Sequence, residues 1–92
     1  MVGDFMFNYF HCIGKIKDIN YNTGYLTLTL SEQFRNEKDE LPTYELTFKL
    51  TKFSLNIFSN IEFPIGKKIS IKGKLESSGN GIDAVVESMK LL

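Results

Sequence analysis

Over most of this chain, apolar and polar residues alternate with a period of two. In "YLTLTLS" (25–31), Leu26, Leu28 and Leu30 share one parity and Tyr25, Thr27, Thr29 and Ser31 the other. Successive strand side chains point to opposite sheet faces, so this spacing predicts a strand with its leucines turned inward. "YELTFKLTKF" (44–53) repeats the pattern, with Leu46, Phe48 and Leu50 inward and Glu45, Thr47, Lys49, Thr51 and Phe53 outward. In "KKISIKGKLES" (67–77), Ile69, Ile71, Gly73 and Leu75 alternate with Lys68, Ser70, Lys72 and Lys74. One face of that strand suits a core, and the other suits something anionic.

Two more strands complete the pattern. "FHCIGKIKDI" (10–19) is rich in β-formers and contains Gly14, which inside a strand marks a bulge or a tight bend where a sheet coils on itself. "NYNTG" follows as a turn. The last strand is "IDAVVESMKLL" (82–92), entered from "SSGNG" as a hairpin turn. Gly73 provides for strand bending in the same way as Gly14. Segment 32–43 has no periodicity and contains Pro42, which predicts a long, mobile loop. "SLNIFSNIEFPIG" (54–66) breaks the two-residue period. Ser54 suits an N-cap, Leu55, Phe58 and Ile61 recur at helical spacing, and Pro64 with Gly66 supplies the stop.

The order is therefore three strands, a short helix and two strands. It predicts an all-β, five-stranded Greek-key barrel of the OB-fold type with one short helix between strands 3 and 4, an architecture whose open face binds oligonucleotides. Another small barrel, of the SH3-like kind, is the alternative and leaves the helix unexplained. Residues 10–92 form this one domain, and residues 1–9 form an N-terminal arm. "DFMFNYF" (4–10) is apolar on both strand faces, a sizeable patch for a monomer to expose. Either a second copy of the chain covers it or it lies across its own barrel.

Composition narrows the classes. Ninety-two residues suffice for one domain with a modest core. Cys12 has no partner for an intrachain disulfide, and with His11 alone beside it there is no zinc-site spacing. No apolar run approaches the roughly 20 residues that span a bilayer, and the N-terminus lacks a signal-peptide pattern. A soluble cytoplasmic protein without membrane contact is expected. Eleven basic and eleven acidic residues give a formal net charge of zero, which argues against bulk attraction to nucleic acid. The charges are nevertheless unevenly spread, with Glu32, Glu37, Asp39 and Glu40 in the loop and Lys15, Lys17, Lys49, Lys52, Lys67, Lys68, Lys72 and Lys74 in or beside strands.

No phosphate-binding glycine loop, nucleophile with its base or paired-carboxylate site occurs. His11 and Cys12 have no third partner, so no catalytic constellation, metal site or cofactor is implied. Lys15, Lys49, Lys72 and Lys74 are each outward on strands that adjoin in such a barrel. They suit phosphate contacts as well as a solvated surface that protects strand edges. Tyr25 and Phe53 fall on outward positions where they could stack on bases or pack across strands, while Phe48 and Phe58 belong to the core.

Four segments carry a family likeness. "IGKIKD" (13–18) and "LTLSEQF" (28–34) resemble the first and second strands of bacterial single-stranded DNA-binding proteins. "IGKKISIKGKL" (65–75) and "AVVESMKLL" (84–92) resemble their fourth and closing strands, and "TYELTFKLTKF" (43–53) sits where the third belongs. The resemblance covers residues 11–92 in unbroken order. It implies sequence-tolerant binding of single-stranded DNA, or RNA, through Lys15, Lys17, Tyr25, Lys49, Phe53, Lys72 and Lys74. It also implies a homodimer or homotetramer and service to replication proteins. Phe53 reaches a family stacking position only if one residue is deleted nearby; otherwise Lys52 takes the place. Two departures stand out: there is no tryptophan, and the chain stops with the last strand, where the family carries an acidic tail. They favour a short, divergent relative, and they keep open an assembly module, primosome-like, that has lost its nucleic-acid face.

Overall fold

A computed structural model describes residues 8–31 and 34–92. Five strands, β1 (Tyr9–Asn20), β2 (Tyr25–Ser31), β3 (Thr43–Leu50), β4 (Lys68–Ser78) and β5 (Gly81–Leu91), close into a barrel in the order β1-β2-β3-β5-β4. All neighbours are antiparallel except β3 and β5, which run parallel at Lys49–Val85 and Leu50–Val86. Helix α1 (Lys52–Ser59) joins β3 to the β4–β5 hairpin and packs on β3 and β5. This is the predicted barrel with its helix in the predicted place.

β1 serves two neighbours in turn. Residues Tyr9–Lys15 pair with β4, and Lys15–Asn20 pair with β2. The handover is possible because Gly14 has no side chain: a Cβ there would lie 2.7 Å from the carbonyl oxygen of Thr29. Gly14 thus marks a close approach where the sheet coils, and the bulge expected as an alternative lies further on, at the register shift between Ile16 and Asp18. That shift leaves Lys17 and Asp18 outside while Ile16 and Ile19 both reach the core. The β1–β2 turn is held by Asn20, whose side-chain oxygen accepts from the backbone N–H groups of Asn22 and Thr23.

The core follows the alternation. Leu26, Leu28 and Leu30 of β2, Phe48 and Leu50 of β3, and Ile69 and Ile71 of β4 are buried. Phe58 of α1 is wholly enclosed, a burial worth about 2–3 kcal/mol. Phe10 enters from β1 and its ring stacks on that of Phe48 with centroids 5.3 Å apart.

Two expectations are corrected. β3 ends at Leu50 rather than at residue 53, because Thr51, not Ser54, caps the helix: its hydroxyl oxygen accepts from the Ser54 N–H at 3.1 Å. Ser54 is instead buried inside the first turn. Leu46 and Leu75, expected inward, are 42% and 40% exposed, since the first half of β3 has no described strand beyond it and the β4–β5 hairpin runs on past the barrel. Between β2 and β3 the described residues 34–42 form a loop, as expected, in which Asn36 accepts the N–H groups of Lys38 and Glu40 on its side-chain oxygen.

The expected arm, residues 1–9, lies largely outside the described residues. Its last two positions are anchored: Asn8 exchanges hydrogen bonds with Leu75, and Tyr9 opens β1.

Candidate nucleic-acid interface

Outward residues of the barrel fall on two surfaces, and the expected site residues divide between them. The first is the outer face of β2 and β3 with the second half of β1. Cross-strand partners there are Tyr25 with Lys49, Thr27 with Thr47, and Thr29 with Glu45. Lys17 at the bulge is ion-paired to Glu45. Lys49 lies 3.9 Å from the carboxylate of Asp83, which also accepts a 3.3 Å hydrogen bond from the Tyr25 hydroxyl. Asp18 is exposed opposite Thr27. Lys15, the partner of Thr29, stands at the border with the second surface; inside that border the first carries two lysines against three carboxylates, and its outward strand aromatic, Tyr25, is half-buried and tied by its hydroxyl to an acid.

The second surface is the outer face of β4, the first half of β1, and β5. Successive outward pairs on the β1–β4 ladder are Tyr9 with Lys74, His11 with Lys72, Ile13 with Ser70, and Lys15 with Lys68. On the other side of β4, Ser70 is paired with Lys90 and Lys72 with Ser88. His11 Nε2 and the Ser70 hydroxyl are 2.8 Å apart. Among the described residues, no carboxylate is ion-paired to Lys15, Lys68, Lys72 or Lys90. Of the acids on β4 and β5, Glu76 and Asp83 are cross-strand partners on the hairpin beyond Lys74, and the exposed Glu87, the extra residue of β5 where its register with β4 shifts, stands beside the cleft that Lys72 lines.

The structure thus brings Lys15 and Lys72 together on one surface and Lys17, Tyr25 and Lys49 on another. Lys74 is half-buried between Tyr9 of β1 and Val85 of β5. Phe53 belongs to neither: it stands 71% exposed on α1, so its expected place on the outer face of strand 3 is corrected. Sequence reasoning missed Lys68 and Lys90 as partners of Lys15 and Lys72. Lys68 was visible in the same alternation that selected Lys72. Lys90 was not, because the extra residue at Glu87 resets the parity of β5.

Burial raises the Cys12 thiol above its ordinary pKa. No group of three or more His, Cys, Asp or Glu among the described residues could hold a metal ion, and none of the described helices is long and apolar enough to cross a membrane.

No family model matches this sequence, and no curated protein matches it. Solved structures do match over nearly the whole chain. The mitochondrial single-stranded DNA-binding protein Rim1 of S. cerevisiae is similar at 15% identity and a TM-score of 0.64, covering 94% of each chain. The Plasmodium falciparum SSB, solved in complex with single-stranded DNA, gives 12% identity and 0.57 over 92% of this chain and 94% of its own. PriB of Ralstonia solanacearum gives 10% and 0.58 over 92% and 98%. At these identities the likeness establishes the fold: the chain is an OB-fold barrel in the arrangement these proteins share.

Proposed function

We propose that this protein binds single-stranded DNA with little sequence preference, by holding the strand on the outside of its barrel without chemistry. The observation that carries this reading is the end-to-end likeness of the barrel to structures of single-stranded DNA-binding proteins, one of them holding its DNA. Lysines without carboxylate partners along β1 and β4 supply what such binding requires, a positive track for phosphates. The reading implies a cytoplasmic protein acting beside replication proteins.

The same geometry supports a homo-oligomer. Residues 10–13 of β1 pair with β4 on one side and with no described strand on the other. A strand edge without a described neighbour is a template for a second chain, and PriB from Thermoanaerobacter tencongensis, similar at a TM-score of 0.50, is dimeric.

A second reading, an assembly module with little nucleic-acid binding, is favoured by the acid-paired lysines of the β2–β3 surface and by the zero net charge. One titration separates the two. A fluorescent thymidine oligonucleotide of about 35 nucleotides, longer than the site of one OB-fold, is followed by anisotropy at low and moderate salt with duplex and RNA competitors. Salt-weakened binding that duplex does not displace is expected. Failure to bind at low salt overturns the proposal and leaves the assembly module.

A further inference from the structure

The single-strand reading leaves open where the strand runs. OB-folds commonly use the face of strands 2 and 3, and Lys49 and Tyr25 of this chain lie there. We infer that here the strand instead crosses the outer face of β1, β4 and β5, with one phosphate seated between Lys15 and Lys68 and its neighbours met by Lys72 and Lys90. This inference rests on the proposed function and specifies its surface.

Charge separates the two faces. On β2–β3 both lysines are already engaged, Lys17 by Glu45 and Lys49 by Asp83, and Asp18 adds a third acid. A phosphate arriving there meets net negative charge. On β1–β4–β5, Lys15, Lys68, Lys72 and Lys90 have no carboxylate partner among the described residues; Glu87 stands at the margin, Glu76 lies further along β4 beyond Lys74, and Glu45 is one strand removed from Lys15 across Thr29 and is held by Lys17. Phosphate contacts are made by unneutralised cations, which release counterions as they engage.

Geometry identifies the seat. Lys15 and Lys68 are direct cross-strand partners, which puts their Cβ atoms about 5 Å apart. Like charges so placed repel, and an anion between them removes the repulsion. They flank a groove of about 420 Å³ that also has the hydroxyl residues Thr29, Ser31 and Thr43 in its wall, and hydroxyls are ordinary phosphate donors. Gly14, where β1 comes close to β2, forms part of its floor.

From that seat the outward positions climb β4 in two-residue steps, Lys68, Ser70 and Lys72, each about 6.8 Å, close to the phosphate spacing of an extended strand. Lys90 stands beside Ser70 and His11 beside Lys72, so the middle and upper steps each carry a nitrogen donor from a neighbouring strand. A second cleft, walled by His11, Ser70, Lys72, Ser88 and Lys90, continues the path.

The test uses the full chain and the same labelled thymidine oligonucleotide. Lys68→Gln and Lys90→Gln are each expected to weaken binding about tenfold at low salt and to flatten the salt dependence by about 0.7 in logarithmic slope, the loss of one phosphate contact. Lys68→Gln should also raise the melting temperature of the free protein, because it removes the repulsion with Lys15; a merely solvated lysine gives no such pairing of gain and loss. Lys17→Gln and Lys49→Gln should leave affinity within about twofold, as charges already neutralised. Amide shifts on adding the unlabelled oligonucleotide to the wild-type protein map the path without any variant, and should concentrate at 13–15, 68–72 and 88–90. Shifts concentrated at 25–29 and 45–49, or loss of binding in the Lys49 variant alone, overturn this path and leave the proposed function standing. A wild-type protein that binds no single strand overturns both.

Discussion

A Cβ built on Gly73 would lie 1.8 Å from the backbone carbonyl oxygen of Val85 and 2.8 Å from Cζ of Phe10. At this point β4 pairs Gly73 with Val86, and the register with β5 shifts on going to Lys72. The two backbones approach more closely than any side chain allows. Gly73→Ala must therefore push β5 away or displace Phe10 from its stack on Phe48. Neither is cheap in a packed interior. The variant should lose about 3 kcal/mol or more, read as a lowered urea midpoint with an unchanged slope.

Phe53 provides the opposite case. It sits exposed in the first turn of α1 and not on the strands that carry the lysines. Phe53→Ala should leave oligonucleotide affinity within about twofold, and stability within about 0.5 kcal/mol as for an ordinary surface change. Its neighbour Thr51 caps the helix, so Thr51→Ala should cost about 1 kcal/mol. Parallel titrations and urea melts of the two variants check both, and a large affinity loss in Phe53→Ala would restore that ring to the binding surface.

These two residues also mark how far the alternation could be read. A period of two gives sidedness, and Leu26, Leu28, Leu30, Ile69 and Ile71 all lie where it put them. It does not say whether anything covers the inward side, which depends on pairing between distant segments. Leu46 and Leu75 have the inward parity but stand where the barrel has no further layer. Nor does it say where a strand stops. Thr51 and Phe53 continue the outward parity of β3, yet the hydroxyl pair Thr51–Ser54 turns the chain into a helix three residues earlier than Ser54 alone would suggest. The lysine track was half legible for the same reason. Lys68 and Lys72 share one strand's parity, whereas Lys90 joins them only through the extra residue at Glu87, and the acids that occupy Lys17 and Lys49 come from other strands.

Cys12 ties stability to pH. It lies on β1 opposite Ile71, packed against the core, and partial burial raises its pKa by disfavouring the thiolate. The unfolded chain releases this proton near the ordinary value of 9.0, while the folded chain retains it to higher pH. The unfolded state thus binds fewer protons in that window, so this group's contribution is fully present below about pH 9 and is lost as pH rises toward the folded value. Urea melts at pH 8 and pH 10 should show a larger loss for wild type than for Cys12→Ala. Alkylation by iodoacetamide at pH 8.5 should also be slower in the folded chain than in urea. Equal losses in the two melts would mean that the thiol titrates alike in both states.

The acids of the β2–β3 surface offer a gain rather than a loss. Asp83 accepts from Tyr25 and faces Lys49, while Glu45 holds Lys17. Glu45→Gln with Asp83→Asn removes two negative charges and leaves both lysines unneutralised, turning an acidic surface into a basic one. The stability cost should be about 1 kcal/mol or less, because the lysines and Glu45 are half-exposed and such pairs are worth little in water. For the thymidine oligonucleotide, affinity at low salt should rise about tenfold and the salt dependence should steepen, by up to about 0.7 in logarithmic slope for each lysine that gains a phosphate. The gain should survive Lys68→Gln, since it comes from a separate surface. If the double variant binds no more tightly than wild type while remaining folded, the pairing of Lys17 and Lys49 with acids does not limit binding, and the charge contrast between the two faces loses its force.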